Sequence, residues 1–174
     1  MFQVGDAVVH PVNGAGFVAK LHSMPGFDEE KPCYKIEILG RTKTTLMVPV
    51  ERAEEVGLRR AITVPHLDRV WDVLRGEPEA LPDNHKTRYK QMEDKLHTGE
   101  VLQIAEVVRD MAWRQRQADH LNVPGRRIYL RGMELLISEL AVAQTIEIEA
   151  AELQVEKLLK KSFDRLEEFM DQEA

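Results

Sequence analysis

The chain contains little cysteine, few aromatic residues and no long apolar run. Its one cysteine, Cys33, cannot form an internal disulfide, which fits a reducing compartment. No segment approaches the ~20 apolar residues that a membrane helix requires, and the first residues lack the basic and apolar regions of a signal peptide. We therefore expect a cytoplasmic protein that makes no contact with a membrane.

The residue patterns of enzymes and metal sites are missing as well. The six histidines include no i, i+4 pair of the kind that binds zinc, and a lone cysteine cannot form a thiolate cage. Gly14-Ala15-Gly16 lacks the third glycine of a dinucleotide-binding loop and is followed by a strand pattern, so we interpret these residues as turn glycines. We expect no catalytic residue, no metal site and no cofactor, and hence a protein that is not an enzyme.

What the chain does have is charge, together with enough apolar residues for a core. Of its 174 residues, 43% are hydrophobic and 31% are charged, which is typical of a helix-rich globular protein. The net charge is −6, and residues 144–174 hold nine acidic against four basic residues. Most of the acidity therefore lies towards the C-terminal end, which leaves the middle of the chain free to be basic.

The first fifty residues have the pattern of short strands separated by turns. Asn13-Gly14 suits a tight turn because both residues tolerate positive φ, Pro25-Gly26 indicates a second turn, and residues 28–32 form a polar loop. Apolar and polar residues alternate over 34–38 and 44–50, at the period of half-buried strands. This pattern predicts a small antiparallel barrel or a curled sheet.

The apolar spacing becomes helical near residue 60, where we place the boundary between an N-terminal domain, 1–60, and a helical domain, 61–174. Leu67, Val70, Trp71 and Leu74 fall at i, i+3, i+4 and i+7, which places Trp71 in the core. Similar apolar stripes predict four further helices before the end of the chain. The predicted fold class is α+β, with a small antiparallel β domain followed by a compact all-α domain of about five helices.

One basic cluster follows a predicted helix start. Pro82-Asp83-Asn84 predicts that start, because Asp and Asn side chains cap the free N–H groups of a first turn. The next residues combine cations with rings and include no carboxylate: His85, Lys86, Arg88, Tyr89 and Lys90. Such a mixture suits nucleic acid, where cations meet phosphates and rings stack on bases. The alternative is a solvated helix face with Tyr89 in the core.

Two more basic clusters lie further along the chain. One consists of Arg126, Arg127 and Arg131; its first two residues follow Pro124-Gly125 near another helix start, whose free N–H groups also favour phosphate oxygens. Arg114 and Arg116 form the other cluster. If the helices bring the clusters to one side, they form a phosphate-binding surface; alternatively, Arg114 and Arg116 pair with nearby carboxylates.

An apolar strand near the end of the first domain suits a protein partner. It consists of Leu46, Met47, Val48, Pro49 and Val50, and its proline indicates an edge strand, since proline cannot donate to a hydrogen-bond ladder on both sides. An edge strand can add to the sheet of another protein through main-chain hydrogen bonds. The alternative is a strand packed within its own barrel.

Over essentially its whole length, the chain resembles the CarD/CdnL family of bacterial transcription regulators. The residues that match the family's pattern occur in its order and spacing: Val4-Gly5-Asp6, Val8-Val9-His10-Pro11, Gly14, Val48-Pro49, Ala53-Glu54, Val56-Gly57, Arg59, Leu67-Asp68, Val70, Val73-Leu74-Arg75, Arg88-Tyr89-Lys90, Ala105-Glu106-Val107-Val108-Arg109-Asp110 and Glu139-Leu140-Ala141.

The resemblance implies a Tudor-like β-barrel that binds the β subunit of RNA polymerase and a helical domain that contacts promoter DNA. The two domains are expected to stabilise the open promoter complex at the upstream edge of the bubble, as a monomer, without a sequence-specific operator and without catalysis. Residues 46–50 match the polymerase-contacting strand, Arg88 and Lys90 match basic positions of the DNA-facing helix, and Arg126 is similar to a basic loop position. The alternative function is a protein-only adaptor that docks on polymerase and uses its helical domain to bind another protein.

The chain departs from the family's pattern at three positions. Met47 and Met24 match positions that contact polymerase in the family, and some members have an arginine at the position of Met47. His85 stands where the family usually has a tryptophan that acts as a wedge in the minor groove. Because an imidazole has less apolar area than an indole and titrates near neutrality, we expect weaker or differently timed open-complex stabilisation than with tryptophan.

Overall fold

The computed structural model describes residues 1–23 and 31–173. The predicted turn at Pro25-Gly26, most of the predicted loop at 28–32, and Met24 lie outside the described residues. The sheet has five antiparallel strands in the spatial order β4-β3-β2-β1-β5. They are β1 (Ala7–His10), β2 (Gly14–Ser23), β3 (Pro32–Ile38), β4 (Thr44–Pro49) and β5 (Arg59–Arg60).

The helical part follows as five α-helices, as the apolar stripes predicted. They are α1 (Leu67–Arg75), α2 (His85–His97), α3 (Val101–Ala118), α4 (Val123–Gln144) and α5 (Ile148–Glu173). The predicted class of antiparallel sheet followed by helices is confirmed. The sheet is curled rather than closed, since β4 and β5 do not pair with each other within the described residues.

Two of the glycines in the first hairpin are required by close packing. Gly14 has a φ of +93°, and a Cβ atom there would lie 2.9 Å from Oγ of Ser138 on α4. Gly16 lies within β2 rather than in the turn, contrary to its interpretation as a turn glycine. A Cβ atom at Gly16 would overlap the backbone carbonyl of Glu37 on β3. Both residues therefore let neighbouring elements approach closely.

The core has three apolar clusters, and the smallest one joins the sheet to the helices. The main cluster fills the helical part and the second lies under the sheet. The third consists of Val9, Ala15, Ala61 and Val142, so it brings together β1, β2, the segment after β5, and α4. Trp71 is only half-buried at the edge of the main cluster, although the periodicity placed it in the core.

A buried ion pair reinforces the same junction. Glu139 on α4 is fully buried, and its carboxylate accepts hydrogen bonds from Arg59 Nη1 at 2.7 Å, Arg59 Nη2 at 2.8 Å and the Ile62 backbone N–H at 2.9 Å. Arg59 Nε also donates to the Gly99 carbonyl at 3.0 Å. Ser138 Oγ, one residue earlier on α4, accepts from the Ala15 backbone N–H at 3.0 Å. These bonds fix α4 against both the sheet and the segment that leads from it.

We expect Arg59→Ala to lower the free energy of unfolding by about 3 kcal/mol, because it leaves the buried Glu139 carboxylate without its cation. Urea denaturation of the full chain measures this change. Arg60→Ala is the matched control, since the Arg60 side chain is 62% exposed and pairs with Asp6 at the surface. Its cost should stay below about 1 kcal/mol. Equal losses for the two variants would contradict the importance of the buried pair.

Candidate nucleic-acid and protein interfaces

Helix α2 begins where the sequence predicted, and Asn84 is its N-cap. The Asn84 Oδ1 atom accepts hydrogen bonds from the backbone N–H groups of Lys86 at 2.9 Å and Thr87 at 3.1 Å. His85 and Lys86 are exposed in the first turn. The cap therefore presents an imidazole and an ammonium group to solvent at the start of a helix, next to its free backbone donors.

Arg88 does not lie on this exposed surface. Its side chain is buried, with 3% of the residue exposed, and Nη1 donates to the backbone carbonyls of Pro82 at 2.7 Å and Asp83 at 3.1 Å. Arg88 lies one helical turn before Met92, which is also buried. Its guanidinium therefore braces the segment that leads into α2, and the expectation that Arg88 faces DNA directly does not fit its position.

A hydrogen bond between Tyr89 and Asn122 joins the starts of α2 and α4. The Tyr89 hydroxyl donates to Oδ1 of Asn122, and the same oxygen accepts from the Gly125 backbone N–H at 3.1 Å as the N-cap of α4. A Cβ atom at position 125 would lie 3.2 Å from the Tyr89 hydroxyl oxygen and 3.1 Å from the Asn122 oxygen. The glycine thus allows the two helix starts to meet.

This junction brings two of the predicted basic clusters together. Arg126 and Arg127 are exposed in the first turn of α4, and the structure links that turn through Asn122 and Tyr89 to the first turn of α2. We call His85, Lys86, Val123, Arg126 and Arg127 the basic tip. It combines three cations, an imidazole and the N-terminal ends of two helices, which favour anions.

Sequence reasoning missed Val123 and the bonding role of Asn122. Val123 is 83% exposed, an unusual position for a β-branched apolar residue, and lines a shallow groove with Arg126, Arg127 and Leu130. The signal was present in Asn122-Val123-Pro124-Gly125, since an asparagine two residues before a proline matches an N-cap followed by proline in the first turn.

Of the other predicted cations, Lys90, Arg116 and Arg131 bond within the chain, Arg131 to Glu134 at 3.3 Å, whereas Arg114 is exposed and forms no ion pair within the described residues. Lys90 Nζ lies 2.8 Å from Asp94 Oδ2, and this hydrogen-bonded carboxylate raises the pKa of Lys90. Arg116 bonds to Asp164 and Glu167 of α5 at 2.6 Å each, which is the carboxylate pairing that was the alternative for its cluster. The basic tip therefore contains Lys86, Arg126 and Arg127 but neither Lys90 nor Arg116.

The structure places β4 at an edge of the sheet. It pairs only with β3 among the described strands, with Tyr34 opposite Val48 and Lys35 opposite Met47. Val48 is buried, while Leu46, Met47 and Pro49 are half-buried. Val50 lies in a short 3-10 turn after the strand, so the strand ends one residue earlier than predicted. The outer edge of β4 offers backbone groups to a further strand.

Two other kinds of site are not supported by the geometry. Within residues 1–23 and 31–173, no three His, Cys, Asp or Glu side chains converge as metal ligands. In the same residues, no helix is both long enough and apolar enough to cross a lipid bilayer.

We expect Tyr89→Phe and Asn122→Ala to show a coupling energy of about 0.5–1 kcal/mol, since each removes one side of the same hydrogen bond. A double-mutant cycle in urea denaturation measures the coupling. Asn84→Ala combined with Tyr89→Phe is the control, because Asn84 caps α2 without bonding to the Tyr89 hydroxyl. Additive losses in the Tyr89 and Asn122 cycle would argue against the junction.

Comparison with known proteins assigns the chain to a family. Residues 2–62 match the CarD-like/TRCF RID domain and residues 69–156 match the CarD C-terminal domain. Over 147 residues the chain is 33% identical to the "Putative transcription factor YdeB" of Bacillus subtilis (strain 168), which covers 84% of this chain and 94% of that protein. The chain therefore belongs to the CarD-like family of transcription factors.

Proposed function

We propose that this CarD-like transcription factor joins RNA polymerase to promoter DNA. In this proposal, β4 binds the polymerase β subunit and the basic tip contacts the upstream edge of the bubble, which stabilises the open complex. It is a binding activity without catalysis, in the compartment where the polymerase works, and one copy per promoter is sufficient. The observation that carries the proposal is the Tyr89–Asn122 junction, which brings the exposed cations at the starts of α2 and α4 together.

Charge and helix polarity support DNA as the ligand of the basic tip. Lys86, Arg126 and Arg127 are exposed and form no ion pair among the described residues, in a chain whose net charge is −6. Cations left unpaired beside two helix N-termini suit phosphate oxygens, and such contacts carry no sequence information. This composition agrees with a regulator that acts at many promoters without an operator.

Apolar contact with the bubble edge can come from two residues of the basic tip. The His85 ring lies 6.2 Å from the Tyr89 ring, between centroids, at an interplanar angle of 59°. Val123 follows Asn122 and is 83% exposed. In our proposal His85 and Val123 share the role that a tryptophan plays in the family, and their smaller apolar area gives a weaker hold on an unstacked base step.

Support for the polymerase contact comes from β4. The strand has one free edge, it ends in a proline, and its half-buried residues Leu46 and Met47 are apolar. Main-chain pairing gives affinity at such an edge, and apolar packing gives specificity. The rigid junction through Glu139 and Arg59 then holds the basic tip in a fixed direction from the strand.

A protein-only adaptor is the second candidate, and one observation favours it. Of the predicted DNA-contacting cations, Arg88 is buried and Lys90 pairs with Asp94, so the basic tip has fewer cations than the sequence suggested. The exposed Val123 and Leu130 would also suit an apolar protein surface.

We expect Lys86→Ala, Arg126→Ala and Arg127→Ala each to weaken binding of the full chain to a forked promoter duplex. Each should also make the plot of log affinity against log salt shallower by about 1, because one phosphate contact is lost. Fluorescence anisotropy at several salt concentrations measures both effects. Lys20→Ala is the control, an exposed lysine on β2.

The outcome separates the two candidate functions. If wild type binds the duplex with no salt dependence, or if the three variants behave like Lys20→Ala, the protein-only adaptor is favoured.

His85→Trp in the same assay should bind a duplex with an unpaired step more tightly than wild type, since an indole fills more of the gap.

We expect Met47→Glu to weaken binding to a β-subunit fragment by about tenfold or more, which corresponds to about 1.4 kcal/mol. A carboxylate on β4 would be desolvated in the interface without a partner. Biolayer interferometry measures the affinity. Val4→Glu is the matched control, because it makes the same change at an apolar residue that is 63% exposed outside β4. Equal effects of the two substitutions would argue against β4 as the docking strand.

A further inference from the structure

Helix α5 extends beyond the part of the chain that matches the family, which ends at residue 156. Several of its carboxylates have partners elsewhere in the chain: Glu152 pairs with Arg41, and Asp164 and Glu167 pair with Arg116. By contrast, its cations Lys157, Lys161 and Arg165 form no ion pair within the described residues. The carboxylates of α5 thus help to hold the fold together, whereas its cations are available for another purpose.

Three cations form a row along one side of α5. Lys157, Lys161 and Arg165 follow each other at intervals of four residues, so they lie on the same side of the helix. None of them forms an ion pair within the described residues. Like charges at this spacing repel each other, so the row slightly disfavours the isolated helix. An external anionic partner would offset that repulsion.

The row borders a shallow groove between α1 and α5. The groove has a volume of about 400 Å³ and contains the side chains of Trp71, Leu158, Lys157, Lys161 and Arg75, with no carboxylate among its lining residues. Trp71 and Leu158 are only half-buried. Asp72 does not line the groove, but it pairs with Arg75 at 3.2 Å and neutralises one of the three cations that do. The groove therefore suits an acidic segment that also carries a large apolar side chain.

The C-terminal end of α5 is such a segment. Phe169 is 58% exposed and lies between the exposed Glu168 and Asp171. It follows Leu158 by eleven residues, close to three full turns, so Phe169 and Leu158 lie on the same side of α5. The separation along the helix is about 16 Å. Because α5 is continuous, Phe169 cannot reach the groove of its own chain.

We propose that two copies of this chain associate through antiparallel α5 helices. A two-fold axis near residue 164 places Leu158 and Trp71 against the partner's Phe169. The same axis places Lys161 beside the partner's Glu168 and Lys157 beside the partner's Asp171. Arg165 lies near the axis, beside the partner's Asp164, whose carboxylate already accepts a bond from Arg116 of its own chain. Each contact occurs twice, as in an isologous dimer, because every α5 has a row of cations in its middle and an acidic C-terminal end.

The interface is small, so the dimer is weak. One pair of helices with a shallow groove buries less than the ~1,200 Å² of a standard stable interface. Opposite charges at its rim make the association sensitive to salt. This proposal is independent of the proposed function, and it adds self-association at high concentration to the single copy that the function needs.

Sedimentation velocity of the full chain from micromolar to millimolar concentration tests the proposal. We expect a reversible dimer at low salt, with a dissociation constant at least tenfold higher in 0.5 M salt. Lys157→Glu combined with Lys161→Glu makes the cation row acidic, like the C-terminal end, and should abolish self-association. Glu168→Lys combined with Asp171→Lys makes the C-terminal end basic, like the cation row, and should do the same. A mixture of the two double variants should form a heterodimer, because opposite charges then face each other along the whole contact.

The controls separate this interface from general effects of charge. Lys20→Glu combined with Lys43→Glu changes the net charge equally on exposed lysines of the sheet domain and should leave self-association unchanged. Phe169→Ala should weaken it at least tenfold without changing the net charge. Circular dichroism checks that each variant folds, and rescue in the mixture cannot come from misfolded chains. A wild type that stays monomeric, or double variants that do not associate when mixed, would overturn the proposal.

Discussion

The arrangement of the whole molecule depends on the buried carboxylate of Glu139. It accepts two bonds from the guanidinium of Arg59 at the end of the sheet and one from the backbone of Ile62 in the segment that follows. A buried charge is costly unless it is paired. Because separating this carboxylate from its partners would leave it unpaired, it holds β5 and the connecting segment in a fixed position against α4. The Ser138–Ala15 bond and the apolar cluster around Val142 support the same contact. The sheet and the helices are therefore not free modules on a flexible linker.

Helix α4 fixes the position of the far end of the helical part relative to the sheet. Its C-terminal half meets the sheet through Ser138 and Glu139, and its N-terminal end meets α2 through Asn122 and Tyr89. A helix of 22 residues spans about 33 Å. One rigid element thus connects the position of β4 to the position of the basic tip. The proposed simultaneous contact with polymerase and DNA requires such a fixed distance.

Charge has two separate uses in this chain. Arg88 braces the entry to α2, Arg59 neutralises Glu139, and Arg116 holds α5 to α3. These arginines belong to the fold. Other cations form no ion pair among the described residues, and two groups of them lie in the basic tip and along α5, so the net charge of −6 says little about what either surface binds. Local distribution decides that, since screening in salt limits attraction to about 8–10 Å.

The sequence by itself determined the alternation of the strands, the apolar stripes of the five helices and the cap at Asn84, because these depend on neighbours within a few residues. It also contained a sign of the burial of Arg88, which shares the helix face of Met92 and Leu96. Only the tertiary structure decided which arginines bond within the chain, that Gly16 lies against β3, and that Tyr89 meets Asn122. Those outcomes require contacts between residues far apart in the chain, and local periodicity carries no information about which distant partner a side chain meets.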